Sequence, residues 1–255
     1  MIKIEIKKLL RSPLTSLFTL AILAIVIVDA FATRKNFLPT PYTELKYLLA
    51  SNNEGHTALI TLTWALPIYY FVLISEGYLR EHRRHLVPLE LSRSTRQKYL
   101  RAKLLVGPGV VSAIYLFALL VNMLIVSVIA INDSGTVDIS MLEVFPSWLG
   151  LSNWVYDHRL MTYCLYLIML LLIVFTLGVL IETIVIFRPD RRIAYPALLV
   201  YWSFFLSLNF SINLSIQPFT EYGLSYALIS LLVFLIPSWV IITLGWRRLI
   251  NRDYV

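Results

Sequence analysis

Long apolar stretches alternate along this chain with short basic ones. The apolar segments at 14–32, 58–77, 104–131, 162–187, 195–214 and 223–246 each reach the ~20 residues that a membrane-crossing helix needs. Ahead of the first, Ile2, Ile6, Leu9 and Leu10 recur at helical spacing while Lys3, Lys7, Lys8 and Arg11 take other positions. That pattern predicts a basic amphipathic helix within 1–13, lying along a membrane surface. Ile2, Ile4 and Ile6 also alternate as in a strand, but a lone strand at a membrane leaves its backbone unpaired. The third span begins with Gly107, Pro108 and Gly109, which should kink it or loosen its first turn.

Charge then orients these elements. Basic residues gather at Lys3, Lys7, Lys8 and Arg11; from Arg80 to Lys103; at Arg188, Arg191 and Arg192; and at Arg247, Arg248 and Arg252. The alternate connections carry only Arg34, Lys35, Lys46 and Arg159. Cytoplasmic loops are enriched in Lys and Arg, so the heavy clusters and both termini are expected inside. The predicted fold class is an all-α integral membrane protein, a single transmembrane domain over 1–255 with six helical spans. The rival reading of the first span is a cleavable signal peptide ending at Ala30-Phe31-Ala32, which would leave five spans. The first span is expected to be retained.

Composition agrees: 58% hydrophobic and 15% charged residues, with a mean hydropathy of +0.75, exclude an ordinary soluble domain. The net charge of +7 follows from the inside bias, so no nucleic-acid partner is indicated. Cys164 is the single cysteine; no intrachain disulfide is possible, and the residue reads as a small packed side chain. The tryptophans fall mostly near span ends, as interfacial aromatics do.

Asp29, Glu76 and Glu182 lie near span ends rather than at mid-depth, which gives no support to ion-coupled transport. Asn122, Asn209 and Asn213 read as interhelical hydrogen-bonding groups. His82 and His85 share a helical face near Glu76 and Glu81, but no His-Glu-x-x-His string accompanies them, and no metal site is expected.

The connection at 78–103 is too long for a simple turn between helices. It carries an apolar patch, Leu86, Val87, Leu89 and Leu91, between Arg83 and Arg84 on one side and Arg93 and Arg96 on the other. Such a patch should dock onto something, and Thr95 fits the cap of the helix that follows.

These residues resemble a family. Glu76 at the end of the second span, a short apolar helix, then Ser94-Thr95-Arg96, Tyr99-Leu100 and Ala102-Lys103-Leu104-Leu105 are similar to the permease subunits of type-2 ABC exporters, among them small bacterial peptide- and drug-export and immunity permeases. The resemblance implies that 78–103 is a coupling loop whose helix sits in a cleft of a separate ATPase. Leu86, Val87, Leu89 and Leu91 would supply apolar contact there, and Arg83, Arg84, Arg93 and Arg96 would meet acidic groups or anionic lipid. Glu76, Ser94, Thr95, Arg96 and Lys103 carry the family motif.

The sequence has no Gly-x-x-x-x-Gly-Lys-Ser/Thr loop, so the chain is not an enzyme by itself. ATP and magnesium would be bound by the P-loop ATPase partner, and no cofactor is expected in this chain. A second permease subunit, identical or related, would complete the pore within the lipids of a bacterial plasma membrane. The expected cargo is an amphipathic peptide or drug. The alternatives are a lipid or glycan exporter of the same architecture, or a non-transporting receptor or assembly factor. The segments 33–57 and 132–161 would form short outer helices, and 215–222 a small re-entrant element.

Overall fold

The computed structural model describes residues 1–33, 43–50, 57–92, 94–130, 152–219 and 223–251. These residues are helical, with no strand among them. In chain order the α-helices are α1 (Ile2–Leu10), α2 (Pro13–Thr33), α3 (Thr57–Trp64), α4 (Leu66–Tyr70), α5 (Glu76–Arg83), α6 (Leu86–Ser92), α7 (Arg96–Ala130), α8 (Ser152–Asp157), α9 (Arg159–Phe187), α10 (Arg191–Ser207) and α11 (Gly223–Asn251). A π-helical turn, Phe71–Ser75, joins α4 to α5. Short 3-10 turns occupy Thr43–Lys46, Leu48–Ala50 and Ile212–Ser215.

Four helices, α2, α7, α9 and α11, are long and apolar enough to cross a membrane. A fifth span arises if α3 and the run from Leu66 to Arg83, bent by 51° relative to each other, count as one. The chain is therefore a helical membrane protein. The centre of the bundle is α9, whose most apolar window is 67% buried against about a third for the others. It packs on α7 at one side and α11 at the other, and α2 lies against α7.

Two predicted spans differ from continuous helices. The segment 58–77 breaks at Ala65 because Pro67 has no N–H to donate to the carbonyl of Thr63. Carbonyls near the break are satisfied by aromatic side chains: Tyr69 Oη donates to Thr61 O at 2.6 Å, Tyr115 Oη to Leu62 O at 2.6 Å, and Trp202 Nε1 to Trp64 O at 3.2 Å. In hydrocarbon an unpaired carbonyl costs several kcal/mol, so these donors make the bend tolerable. The segment 195–214 is helical only to Ser207. The chain then turns through Leu208–Phe210 into the 3-10 turn, which packs on α11 where Ser215 Oγ donates to Ala227 O at 2.7 Å.

Elsewhere helices outrun their apolar stretches. The span predicted for 104–131 belongs to a helix that begins at Arg96 and passes through Pro108 without interruption. Gly107 serves a different purpose from loosening: a Cβ there would lie 2.7 Å from Ile74 Cδ1, so its absence lets α7 approach the π-helical turn. Trp202, 1% exposed, is a core residue set edge-on to Phe234 rather than an interfacial anchor. Cys164 is exposed on α9, not packed.

The end opposite the basic residues is closed by a folded-in segment. Tyr47, Leu48, Leu49 and Ala50 are buried. Asn122, fully buried on α7, accepts the Leu48 N–H at 3.0 Å and donates to Val26 O on α2 at 3.1 Å. Asn209, by contrast, is exposed in the turn after α10, and Asn213 lies in the 3-10 turn.

Candidate functional site

Basic residues of the first three clusters meet acidic partners where α5, the start of α7 and the C-terminal part of α9 come together with α1 and α10. Three charged side chains are buried there: Glu5 from α1, Glu81 from α5 and Lys103 from α7. The Lys103 ammonium lies 2.9 Å from Glu5 Oε1 and 2.7 Å from Glu81 Oε2, and Lys8 pairs with the other Glu81 oxygen. Two carboxylates and two ammonium groups thus balance, and Lys103 also sits 5.7 Å from the centre of the Tyr99 ring. Burial, then the neighbouring Lys103 charge, lowers the Lys8 amine below its ordinary pKa. The arrangement ties α1 to both α5 and α7.

A turn deeper, Ser75 Oγ donates to the buried Glu182 carboxylate at 2.8 Å. The π-helical turn aims Ser75 at α9, a local geometry that commonly re-aims a side chain at functional positions. Glu76, next in sequence and partly exposed, faces α10 instead. It accepts Tyr195 Oη and Arg191 Nη2, each at 3.0 Å, and Arg83 approaches to 3.9 Å. Successive residues therefore fasten the end of the second apolar segment to α9 and α10.

Beyond α5 the chain reverses at Arg84 and His85, whose φ of 54° is left-handed. The short helix α6 follows, and its four predicted apolar contacts divide by face. Leu86 and Leu89, three residues apart, are 38% and 59% exposed. Val87 is buried and Leu91 is partly buried against the core. Arg83 and Arg84 are exposed, and Arg96 is half-buried at the start of α7. Arg93 lies outside the described residues. The Thr95 carbonyl accepts the Tyr99 N–H at 3.0 Å, and the Ser94 hydroxyl donates to Glu90 O at 3.3 Å.

Of the motif residues, Glu76 and Lys103 prove to be the centres of two separate ionic groupings. Their partners Glu5, Glu81, Arg191 and Tyr195 were not singled out beforehand for these roles. One signal was present: Glu5 is the lone acid in an otherwise basic helix.

No family model matches the chain, and no solved structure matches it. The chain is similar to a Bacillus subtilis (strain 168) protein described as uncharacterized protein YybM, 25% identical over 239 residues that cover 91% of this chain and 93% of YybM. The likeness runs through nearly the whole length of both proteins.

Proposed function

We propose that this chain is the membrane-spanning permease subunit of an ATP-driven ABC exporter, driven by a separate P-loop ATPase that docks on its basic end. The observation that carries the reading is the outward face of α6, where Leu86 and Leu89 project three residues apart, just after the exposed Arg83 and Arg84 in the chain. Apolar side chains held out on a short helix that follows exposed cations between two apolar segments have the make-up of a protein-docking surface. Val87, turned inward, keeps α6 attached to its own subunit.

The same geometry supplies a route for force. Closure of the ATPase around its nucleotide and magnesium would displace α6, and the Glu81–Lys103 pair makes α5 and α7 move with it. Glu76 carries the displacement on to α10, and Ser75 to α9. In this reading the bent segment α3–α5 is one span and α10 the sixth, the basic end and both termini are cytoplasmic, and α1 lies at the inner surface of the plasma membrane. A second permease subunit completes the pathway, and the cargo is an amphipathic peptide or drug.

The test is affinity capture of the intact chain from its native membrane under mild extraction, with mass spectrometry of what accompanies it. A P-loop ATPase should accompany the wild type and be lost from Leu86→Asp/Leu89→Asp. If no ATPase accompanies the wild type, the exporter reading falls.

A further inference from the structure

A groove between α9 and α11 lies outside the coupling surface and is not used by the exporter reading. Both helices end at the basic end, and they touch where Gly245 meets Thr183: a Cβ on Gly245 would lie 2.4 Å from Thr183 Cγ2. Beside that contact they part to leave about 240 Å³ walled by Ile184, Phe187, Ile241 and Leu244. Arg248, exposed in the last turn of α11, stands at the mouth. Arg188, also exposed, directly follows Phe187. Among the described residues, no Asp or Glu lines the groove.

An apolar trough capped by a cation is matched to a molecule with a hydrocarbon tail and an anionic head. Helix C-termini carry about half a negative charge each, which disfavours an anion. The full charge of Arg248 at the mouth of the groove offsets it. A zwitterionic head would bring its own cation against this arginine, whereas an anionic head would not. Leu244 is 54% exposed, so the trough opens sideways to the lipid that surrounds any helix of this hydropathy.

We infer that this groove binds an anionic phospholipid, with one acyl chain along Ile184, Phe187, Ile241 and Leu244 and the headgroup phosphate on Arg248. Basic pockets between spans at the inner surface receive such headgroups on general electrostatic grounds. The site would hold a structural lipid at the α9–α11 seam.

The experiment is native mass spectrometry of the full chain in detergent micelles containing phosphatidylglycerol or phosphatidylcholine with the same acyl chains. Wild type should retain phosphatidylglycerol preferentially, with inorganic phosphate failing to displace it. Arg248→Gln should weaken retention about fivefold, the effect of one interfacial cation. Leu244→Trp, which fills the trough from an exposed position, should abolish it without lowering the melting temperature. Arg101→Gln, on α7 and remote from the groove, should leave retention unchanged. Equal retention of the two lipids, or retention unaffected by both groove variants, would overturn the proposal. So would a dimer that Leu244→Trp dissociates with no change in bound lipid, since the occupant would then be protein.

Discussion

The Lys103 ammonium lies 2.9 Å from the Glu5 carboxylate, joining the N-terminal helix to the first turns of the 35-residue helix α7. Both groups are buried, and Glu81 lies on the other side of the cation at 2.7 Å. Removing the cation would leave the buried Glu5 without its counter-charge and Glu81 with Lys8 alone. Lys103→Met is therefore expected to destabilise the protein by about 3–5 kcal/mol, the cost of breaking a buried pair from one side. The charge exchange Glu5→Lys/Lys103→Glu should not recover wild-type stability, because the new carboxylate at 103 faces Glu81. Adding Glu81→Gln to that exchange should recover part of it. Thermal denaturation of the detergent-solubilised protein measures the series, and a triple variant no more stable than Lys103→Met would rule out the pairing as its basis.

Glu76 presents the opposite case. Its partner Arg191 has a side chain 48% exposed, and Glu76 itself is 27% exposed. Solvent-screened pairs contribute at most about 1 kcal/mol, and glutamine keeps an oxygen for the Tyr195 hydroxyl. Glu76→Gln should accordingly leave stability almost unchanged. If α5 drives α10 through this contact, ATP-dependent transport should fall much further than stability does.

Asn122 makes two hydrogen bonds, accepting from Leu48 N and donating to Val26 O. Asn122→Leu leaves the buried Leu48 N–H without its acceptor, at about 1–3 kcal/mol, while Val26 O, inside α2, keeps its helical partner. Hydrogen exchange at Leu48 should speed up, and the turn at Leu48–Ala50 should open before the bundle melts. Unchanged protection there would mean that the turn is held by its apolar contacts alone.

Gly178 and Gly109 form a contrasting pair. A Cβ on Gly178 would lie 2.5 Å from Cε1 of Tyr70, a buried ring whose hydroxyl donates to Val174 O at 2.7 Å. The ring cannot withdraw without losing that bond, so Gly178→Ala should cost about 1–3 kcal/mol by overpacking. A Cβ on Gly109 meets nothing within 4 Å. Gly109→Ala should stabilise α7 by about 0.5–1 kcal/mol through lost unfolded-state freedom. Melting temperatures shifting in opposite directions would meet both expectations.

The sequence by itself determined the class of the protein. Hydrocarbon admits a backbone only when its polar groups are satisfied within the segment, so runs of ~20 apolar residues between basic clusters could only become helices across a membrane. It also revealed α1, whose spacing is local, and marked α6 as a separate short helix with Glu76 and Lys103 at either side of the loop. Only the tertiary structure decided which face of each helix met which neighbour. Lys103 stood in the motif without a partner until Glu5, 98 positions away along the chain, was folded against it. Leu86 and Val87 are adjacent and equally apolar, yet one is exposed and the other buried, because the left-handed turn at His85 sets how α6 is rotated. The bend at Ala65 was written in Pro67, but whether the chain would tolerate it depended on Tyr69, Tyr115 and Trp202 reaching the exposed carbonyls. Hydropathy records how much apolar surface a segment has to hide. Which neighbour hides it, and where a buried charge finds its counter-charge, is a long-range choice that packing makes.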